Sequence, residues 1–270
     1  MWMCQRFGVS RSGFYAWEKR TPRGKNQKDV MLLKHINKVH RGRRRCYGSP
    51  RVYRYLKQKG ITCSRRRIAR IMRENGIKAT VVGLYYYNPK RRDLYQRVEN
   101  KLATLDAPSG TDQQWVADFT YLKTKHGQWV YLSTIMDLYS RKIIAWSIST
   151  NRNADLTMAS LKMAIKRRQP SQGTLFHTDQ GIEYAGDRFQ ETLTAEQLTP
   201  SMSGKGSCLD NATMESFFHT FKTESFYQRR FEDMNEIKKE FIKYIDFYNN
   251  ERLHSSLGYM SPTDYEQRAA

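Results

Sequence analysis

The sequence is poor in cysteine and has no long apolar runs. Its four cysteines, Cys4, Cys46, Cys63 and Cys208, stand far apart with no C-x-x-C spacing. The gap of sixteen residues between Cys46 and Cys63 is too wide for the close ligand pairs of a zinc finger. No signal peptide is evident, and no segment reaches the roughly eighteen consecutive apolar residues of a membrane-spanning helix. We therefore expect reduced thiols and a cytoplasmic protein.

Acidic residues are scarce in the first part of the chain. Residues 1–104 contain five Asp and Glu against 28 Lys and Arg, whereas residues 105–270 contain 21 against 19. The formal net charge of +21 therefore lies entirely in the first two-fifths of the chain. A basic segment joined to a near-neutral, aromatic-rich body is typical of a protein that binds a polyanion. Nucleic acid is the leading candidate partner.

The basic part has the patterning of short helices. Residues 1–20 indicate a partial helix-turn-helix segment, in which Ser10 caps a helix that carries Phe14, Tyr15 and Trp17. A first helix to pack against is missing or very short. The chain therefore resembles one that begins part-way through a helix-turn-helix.

Residues 21–78 predict a basic helix-turn-helix region. A helix over Lys28 to His40 is followed by a helix that Pro50 starts and Gly60 ends, and then by one that Ser64 caps. A tight turn between two short helices predicts that the second helix approaches DNA. Its expected DNA contacts are the arginines Arg65, Arg66, Arg67, Arg70 and Arg73. The alternative is a helical hairpin with a solvated basic face, and residues 79–108, with their Asn-Pro breaker, predict a linker.

The patterning changes to strands in residues 109–270. Three β-rich runs, Trp115 to Leu122, Trp129 to Met136 and Ile143 to Ile148, predict an antiparallel meander. Helices, the first of them over Ala154 to Arg168, and two further short strands alternate after it. Long helices from Asp210 to Phe226 and Glu232 to Asn249 end the chain. This order is that of the ribonuclease H-like fold. We therefore predict an α/β domain with a mixed five-stranded sheet and flanking helices, preceded by the basic all-α region.

Three carboxylates carry most of the functional information. Asp118 lies in the first predicted strand, Asp179 ends the fourth, and Glu215 lies in a helix, with thirty-five residues between the last two. The apolar neighbours of Asp118 make a lone charge there costly, so a metal or another cation is expected beside it. Mg²⁺ prefers carboxylate oxygens, and two ions need about three converging acids. The spacing therefore suggests two metal ions used for phosphoryl transfer on DNA.

Other acids and one histidine near these positions are better explained by structural roles. Asp137 is expected in a turn, paired with Arg141, and Asp210 resembles a helix N-cap. Glu183 lies four residues past Asp179 and is a candidate outer group of the site. His177 shares a strand face with Asp179, and a packed structural histidine is the favoured reading.

A polar stripe surrounds Glu215 on its predicted helix. Asn211, Glu215, His219 and Lys222 follow one another at steps of three or four residues. Asn211 and Lys222 are therefore expected to contact DNA. The preceding loop, SGKGSCLDN, predicts a mobile segment in which Lys205 is available for a DNA phosphate.

These motifs resemble one family. WVADFTYL, DLYSRKIIAWS, FHTDQGIEY, SMSGKGSCLDNATMESFFHTFKTE and YIDFYNNERLHSSLGYMSP look like the transposase of the IS-three family of bacterial insertion sequences, specifically its second reading frame, OrfB. YGSPRVYRYL and ARIMRENGIKA resemble the helix-turn-helix region that precedes the integrase-like core in that family. The resemblance covers nearly the whole chain.

The resemblance implies a DDE catalytic triad formed by Asp118, Asp179 and Glu215, which binds two Mg²⁺ or Mn²⁺ ions. It also implies cleavage of element ends and joining of 3′-hydroxyl ends to DNA, oligomers on DNA, and an upstream OrfA product or OrfAB fusion. Two alternatives stay open: a non-catalytic DNA-binding repressor with a relic core, and a ribonuclease H-like nuclease without joining activity.

Overall fold

The chain forms two compact units. The computed structural model describes residues 4, 6–18, 27–80, 98–179, 181–203 and 211–269. The first unit comprises residues 1–79 and the second residues 80–270. Among the described residues, no helix is both long and apolar enough to cross a membrane.

The described part of the first unit is helical. It includes α1 (Arg11–Glu18), α2 (Gln27–Gly42), α3 (Ser49–Gln58) and α4 (Arg65–Glu74). Ser10 accepts the backbone N–H of Gly13 at 3.1 Å and so caps α1, although no residue of α1 is buried. Ser64 caps α4 in the same way, by accepting the N–H of Arg67 at 3.2 Å. Both predicted caps are confirmed.

A small apolar core joins α2, α3 and α4. Because apolar residues recur at helical spacing, each helix buries one face. An apolar seam joins α3 to α4, and α2 completes it with residues of its own. The buried apolar side chains of the three helices are Leu32, Ile36, Val39, Val52, Leu56, Ile68, Ile71 and Met72.

The second unit is built on a mixed five-stranded sheet. Its strands are β1 (Gln114–Lys123), β2 (Trp129–Asp137), β3 (Ile143–Ser149), β4 (Leu175–Thr178) and β5 (Thr199–Met202). They lie in the order β3-β2-β1-β4-β5. The pairs β1–β2 and β2–β3 are antiparallel, whereas β4 is parallel to both β1 and β5. The predicted meander and the mixed sheet are both confirmed.

Helices flank this sheet. They are α5 (Ala154–Arg168), α6 (Ile182–Ala185), α7 (Asp187–Ala195), α8 (Ala212–Glu224), α9 (Met234–Asn250) and α10 (Pro262–Ala269). Helix α5 packs on β2 and β3, α8 packs on β1, and α9 packs on β3. Between the sheet and α5 to α7 lies an apolar core that includes Trp115, Ile135, Leu161, Phe176 and Phe189.

Helix α9 and the segment after it are held to the rest of the unit by hydrogen bonds of polar side chains. The amide of Asn249 exchanges two hydrogen bonds with the backbone of Ile143 in β3, at 3.0 and 2.9 Å. The guanidinium of Arg252 binds both carboxylate oxygens of Glu224, each at 2.8 Å, and both side chains are about 5% exposed. Tyr244 also donates to Glu224, at 3.1 Å. The C-terminal end of α8 is therefore held by a buried, fully hydrogen-bonded charge pair.

Candidate active site

The strand register brings the two aspartates side by side. In the parallel pair β1–β4, Ala117 lies opposite Thr178, so the next position on each strand is Asp118 and Asp179. Neighbouring strands are about 4.8 Å apart, and residues in register point to the same face. Both aspartates are half-buried. Two residues that are sixty-one positions apart in the chain thus become neighbours through strand pairing alone.

Glu215 approaches this pair from α8. It lies in the first turn of the helix and is exposed, whereas Met214, Phe217 and Phe218 are buried and anchor the helix. Helix α8 packs on β1, the strand that carries Asp118 near its middle. Two residues of the predicted polar stripe, Glu215 and Lys222, are near enough for their charges to act on Asp118.

The charges of Asp179 and Glu215 both act on Asp118. Burial raises the pKa of Asp118 well above its ordinary value, and the negative charges of Asp179 and Glu215 raise it further. The backbone N–H of Phe119 and the ammonium of Lys222 act in the opposite direction. Asp118 is thus the central acid of a group whose negative charges repel one another.

The donor set fits a divalent cation. Carboxylate oxygens are the ligands that Mg²⁺ prefers, and a cation between these acids would remove their mutual repulsion. Within the described part of the chain, however, no three His, Cys, Asp or Glu side chains lie close enough together to hold one ion. Asp118 and Asp179 form a preassembled pair, and Glu215 would have to draw in to complete the set.

A tight turn follows Asp179 and orients its carboxylate. The N–H of Gly181 donates to Oδ1 of Asp179 at 3.0 Å. A Cβ at Gly181 would lie 2.9 Å from that same oxygen and 3.2 Å from Oε2 of Glu183. Only glycine fits here without displacing a carboxylate, although the backbone of Gly181 has an ordinary φ of −68°.

Behind the aspartates lies a layer of aromatic and charged side chains. Arg152 pairs with the buried carboxylate of Glu183, with one contact at 3.2 Å, and its guanidinium lies 4.5 Å from the ring centre of Phe119. The buried hydroxyl of Tyr184 lies beside Ser133 but makes no hydrogen bond of normal geometry in the described part of the chain. Burial raises the pKa of Tyr184, as do Asp118 and Asp179. Glu183 is therefore paired with Arg152, and its role as an outer group of the site stays a prediction.

Two residues near the site have structural roles, as predicted. His177 is fully buried, and its two ring nitrogens lie 2.9 Å from the hydroxyls of Ser201 and Ser203, which links β4 to β5. Asp137 lies at the end of β2 and accepts hydrogen bonds from Ser140 and from the N–H of Asp112. The described residues show no side-chain ion pair between Asp137 and Arg141; the two are paired through the backbone, where the N–H of Arg141 donates to the carbonyl oxygen of Asp137 at 2.9 Å.

The side chain of Arg141 has its hydrogen-bond partner on another element. Its guanidinium donates to Thr213 at 2.5 Å. Thr213 lies in the first turn of α8, two residues before Glu215. Arg141 therefore ties the β2–β3 turn to the start of the helix that carries the third acid.

Comparisons with known proteins agree with this architecture. A family model described as an HTH-like domain matches residues 27–83, and two models described as an integrase core domain match residues 108–208 and 196–262. The insertion element IS600 uncharacterized 31 kDa protein of Shigella sonnei is 35% identical over 267 residues, 98% of each chain. Transposase InsF for insertion sequence IS3A of Escherichia coli (strain K12) is 34% identical and covers 98% of this chain and 93% of that protein. The chain belongs to the IS-three family of insertion-sequence transposases.

The fold also resembles a solved integrase assembly. A chain of the simian T-cell lymphotropic virus intasome, solved by cryo-EM in complex with PP2A regulatory subunit B56 gamma, superposes with a TM-score of 0.51. It is 14% identical, and the match covers 86% of this chain and 74% of that chain. The transposase thus has the predicted ribonuclease H-like architecture and the integrase core of a polynucleotidyl transferase.

The transposase places its predicted DNA contacts in different environments. Arg65, Arg66 and Arg73 are exposed on α4. Arg67 and Arg70 are only half-exposed, because both bind the carboxylate of Asp29 on α2, at 2.6 and 2.7 Å. Their first role is to hold α4 on α2. Contact with DNA stays a prediction for all five arginines.

The DNA contacts predicted in the second unit also lie in different environments. Lys222 is half-buried, and burial lowers the pKa of its ammonium although Asp118 beside it acts to raise it. Asn211 is only 6% exposed, and its side-chain oxygen has no hydrogen-bond partner in the described part of the chain. The structure thus does not present Asn211 as a surface contact, because it precedes α8 in a buried position. Lys205, Asp210 and the loop glycines Gly204 and Gly206 lie outside the described residues.

Sequence reasoning missed the residues that hold α8 in place. Glu224, Asn249 and Arg252 fix the C-terminal end of that helix and the following segment, and Arg141 fixes its start. Arg252 stands in the YNNERLHSSLGY motif, which supported the family resemblance without a role for each residue. The available signal was the motif itself, and only the tertiary contacts show that Arg252 pairs with Glu224.

Proposed function

We propose that the transposase cleaves the ends of its insertion sequence and joins the 3′-hydroxyl ends to DNA, with Asp118, Asp179 and Glu215 as the catalytic, metal-binding triad. The register of β1 and β4, which places the two aspartates side by side, carries this proposal. The negative charges of Asp179 and Glu215 that act on Asp118 support it. Stability alone does not account for such an arrangement, since like charges disfavour one another.

With Glu215 drawn in, the triad would bind two Mg²⁺ or Mn²⁺ ions. When bound, such ions supply activation of a water or a 3′-hydroxyl and stabilisation of the leaving oxygen in an in-line displacement. Asp118 and Asp179, which strand pairing holds side by side, would provide the first carboxylate ligands. Glu215 would complete the set by a movement of its side chain and of the first turn of α8.

Neighbouring residues have roles that follow from their contacts. The N–H of Gly181 holds Oδ1 of Asp179 and so sets the direction of its free oxygen. Lys222, beside Asp118, is placed to bind a phosphate oxygen of the DNA strand in the site. Phe119, Tyr184 and the Arg152–Glu183 pair close the far side of the aspartates against solvent.

The HTH-like unit is the second DNA-binding element of this proposal. Arg65, Arg66 and Arg73 are exposed on the helix that a helix-turn-helix would place in the major groove. We further propose that the transposase works as a homo-oligomer on DNA in the bacterial cytoplasm. An upstream OrfA product or an OrfAB fusion would supply the rest of end recognition.

A strand-transfer assay on labelled element ends, with and without the upstream partner, tests the proposal. Asp118→Asn, Asp179→Asn and Glu215→Gln are each expected to abolish metal-dependent joining while DNA binding persists. Glu191→Gln, on an exposed residue of α7, is the matched control and should join normally. Retained joining in any of the three variants would refute the triad.

A second substrate separates joining from cutting. Offered a pre-cut end with a free 3′-hydroxyl, the transposase is expected to produce joined DNA. Cleavage of intact ends without any joined product would instead support a nuclease, and neither product would support a non-catalytic DNA-binding protein.

A further inference from the structure

Two large aromatic side chains lie exposed on the sheet next to the catalytic carboxylates. Tyr121 is 51% exposed and Trp129 is 45% exposed. They belong to the paired strands β1 and β2, and their rings meet edge to face with centres 5.4 Å apart. Cross-strand packing accounts for the contact between the rings. It does not account for leaving about half of each side chain in water.

Each ring of this pair has a cation over it. The Lys222 ammonium lies 5.2 Å from the ring centre of Tyr121, and the Lys123 ammonium lies 5.0 Å from that of Trp129. Lys222 is also the cation beside Asp118. We call these four side chains the aromatic track; its member Lys222 is near enough to Asp118 for its charge to act on that acid.

The far end of the aromatic track opens into a basic cleft of about 320 Å³. Lys123 belongs to both, and the other cationic side chains that line the cleft are Lys125, Arg229 and Arg230. Tyr227, which is 45% exposed, adds a third accessible aromatic ring.

Two acids near the cleft offset part of its charge. Glu232 binds Lys125 and His126, and Glu240 lies 3.5 Å from Arg229. Lys123 and Arg230 have no carboxylate partner in the described part of the chain, so the cleft keeps a net positive charge. Charge of this sign is complementary to phosphates.

Exposed aromatic rings together with cationic side chains favour one chemical class of ligand. Exposed rings stack on unpaired bases, and interleaved cations bind the phosphates between them, whereas a DNA duplex hides its base faces and would leave the rings unused. We propose that the aromatic track and its cleft bind a DNA strand with unpaired bases that leads away from the catalytic carboxylates. The inference rests on the proposed function in that it takes DNA as the substrate, and it adds the state of the strand and the surface that holds it.

Photocrosslinking of the full chain to oligo(dT) that carries iodouracil tests the proposal. Irradiation links the halogenated base to an aromatic ring stacked on it, and peptide mass spectrometry locates the link. We expect crosslinks at Tyr121, Trp129 or Tyr227, and far fewer with the same strand paired in a duplex. Crosslinks confined to other parts of the chain, or equal yields with duplex, would overturn the proposal.

Two variants and a matched control give the size of the effect. Trp129→Leu is expected to raise the oligo(dT) concentration for half-maximal crosslinking at Tyr121 about tenfold, the loss typical of one stacked base. Arg230→Glu should raise it severalfold, whereas Lys239→Glu, an equal charge reversal at an exposed position of α9 outside the cleft, should not. Equal effects of the two charge reversals would mean non-specific attraction and would overturn the proposal.

The experiment also separates this surface from the catalytic proposal. Asp118→Asn should crosslink like the wild type while joining is lost. If the wild type itself fails to join DNA yet crosslinks at the track, the proposed function fails and the surface stands. If Trp129→Leu changes the oligomeric state in sedimentation and no crosslink forms at the track, the surface is an interface between copies of the chain and the proposal is overturned.

Discussion

Gly181→Ala is the sharpest test of how the turn after β4 sets the active site. The substitution adds one methyl group at a position with ordinary backbone angles, so backbone strain is not expected. The added Cβ would lie 2.9 Å from Oδ1 of Asp179, whereas ordinary van der Waals contact begins at 3.4 Å. About 0.5 Å of movement is needed, and the carboxylate has more freedom to move than the backbone.

The size of the effect follows from that displacement. A misplacement of about 1 Å at a reacting group can cost about 100-fold in rate, so a shift of about half that size should lower strand transfer roughly tenfold. Stability should change little, because the clash is relieved by movement of a half-buried side chain. The concentration of Mg²⁺ needed for half-maximal joining should rise, since Asp179 is a proposed metal ligand.

The assay is metal-dependent joining of labelled ends, measured beside the thermal unfolding midpoint. Gly42→Ala is the matched control, because a Cβ there meets nothing within 4 Å. Wild-type joining and Mg²⁺ dependence in a folded Gly181→Ala protein would show that the 2.9 Å contact does not position Asp179. A protein that loses its fold would equally contradict the reasoning, since the predicted cost lies in the site.

The remaining predictions concern charge. Arg252→Leu should lower the free energy of unfolding by about 3–5 kcal/mol, because it leaves the Glu224 carboxylate buried without its partner; chemical denaturation measures this, and Glu224→Leu added to it should restore much of the loss. Asp118→Asn removes one of the mutually repelling charges, so in EDTA it should raise the thermal unfolding midpoint by a few degrees, at about 2–4 °C per kcal/mol. The same variant should abolish the rise in midpoint that Mg²⁺ produces in the wild type. An unchanged response to Mg²⁺ would contradict the proposed metal site. Burial by itself would raise the pKa of Glu266, but hydrogen bonds from Lys142 and Arg168 hold it below its ordinary value of 4.5. Such a carboxylate stabilises the fold above that value, so the gap in stability between wild type and Glu266→Gln should close as the pH falls below it; a gap that persists at acidic pH would refute the ion-pair role.

Element positions were largely predictable because they depend on local patterns. The strand over Trp115 to Leu122 was expected one residue shorter at each end than observed, and the helix over Ala154 to Arg168 matches. The errors lie at helix ends. The helix expected from Asp210 to Phe226 begins at Ala212 and ends at Glu224, after which Ser225 departs from helical geometry and a short 3₁₀ turn follows. Such endings depend on tertiary partners, here the Arg252–Glu224 pair.

Residue chemistry and spacing were enough to identify the acids of the candidate site and the family, because short motifs around Asp118, Asp179 and Glu215 identify the acids and the family alike. Which groups stand around those acids was decided by long-range contacts. Strand register set Asp118 beside Asp179, and helix packing brought the charges of Glu215 and Lys222 near Asp118. The same contacts turned Arg67 and Arg70 toward Asp29, buried Asn211 and left Tyr121 and Trp129 in solvent. The physical reason is that burial, pKa and the pairing of charges depend on neighbours that are distant in the chain, and local sequence patterns contain no information about them.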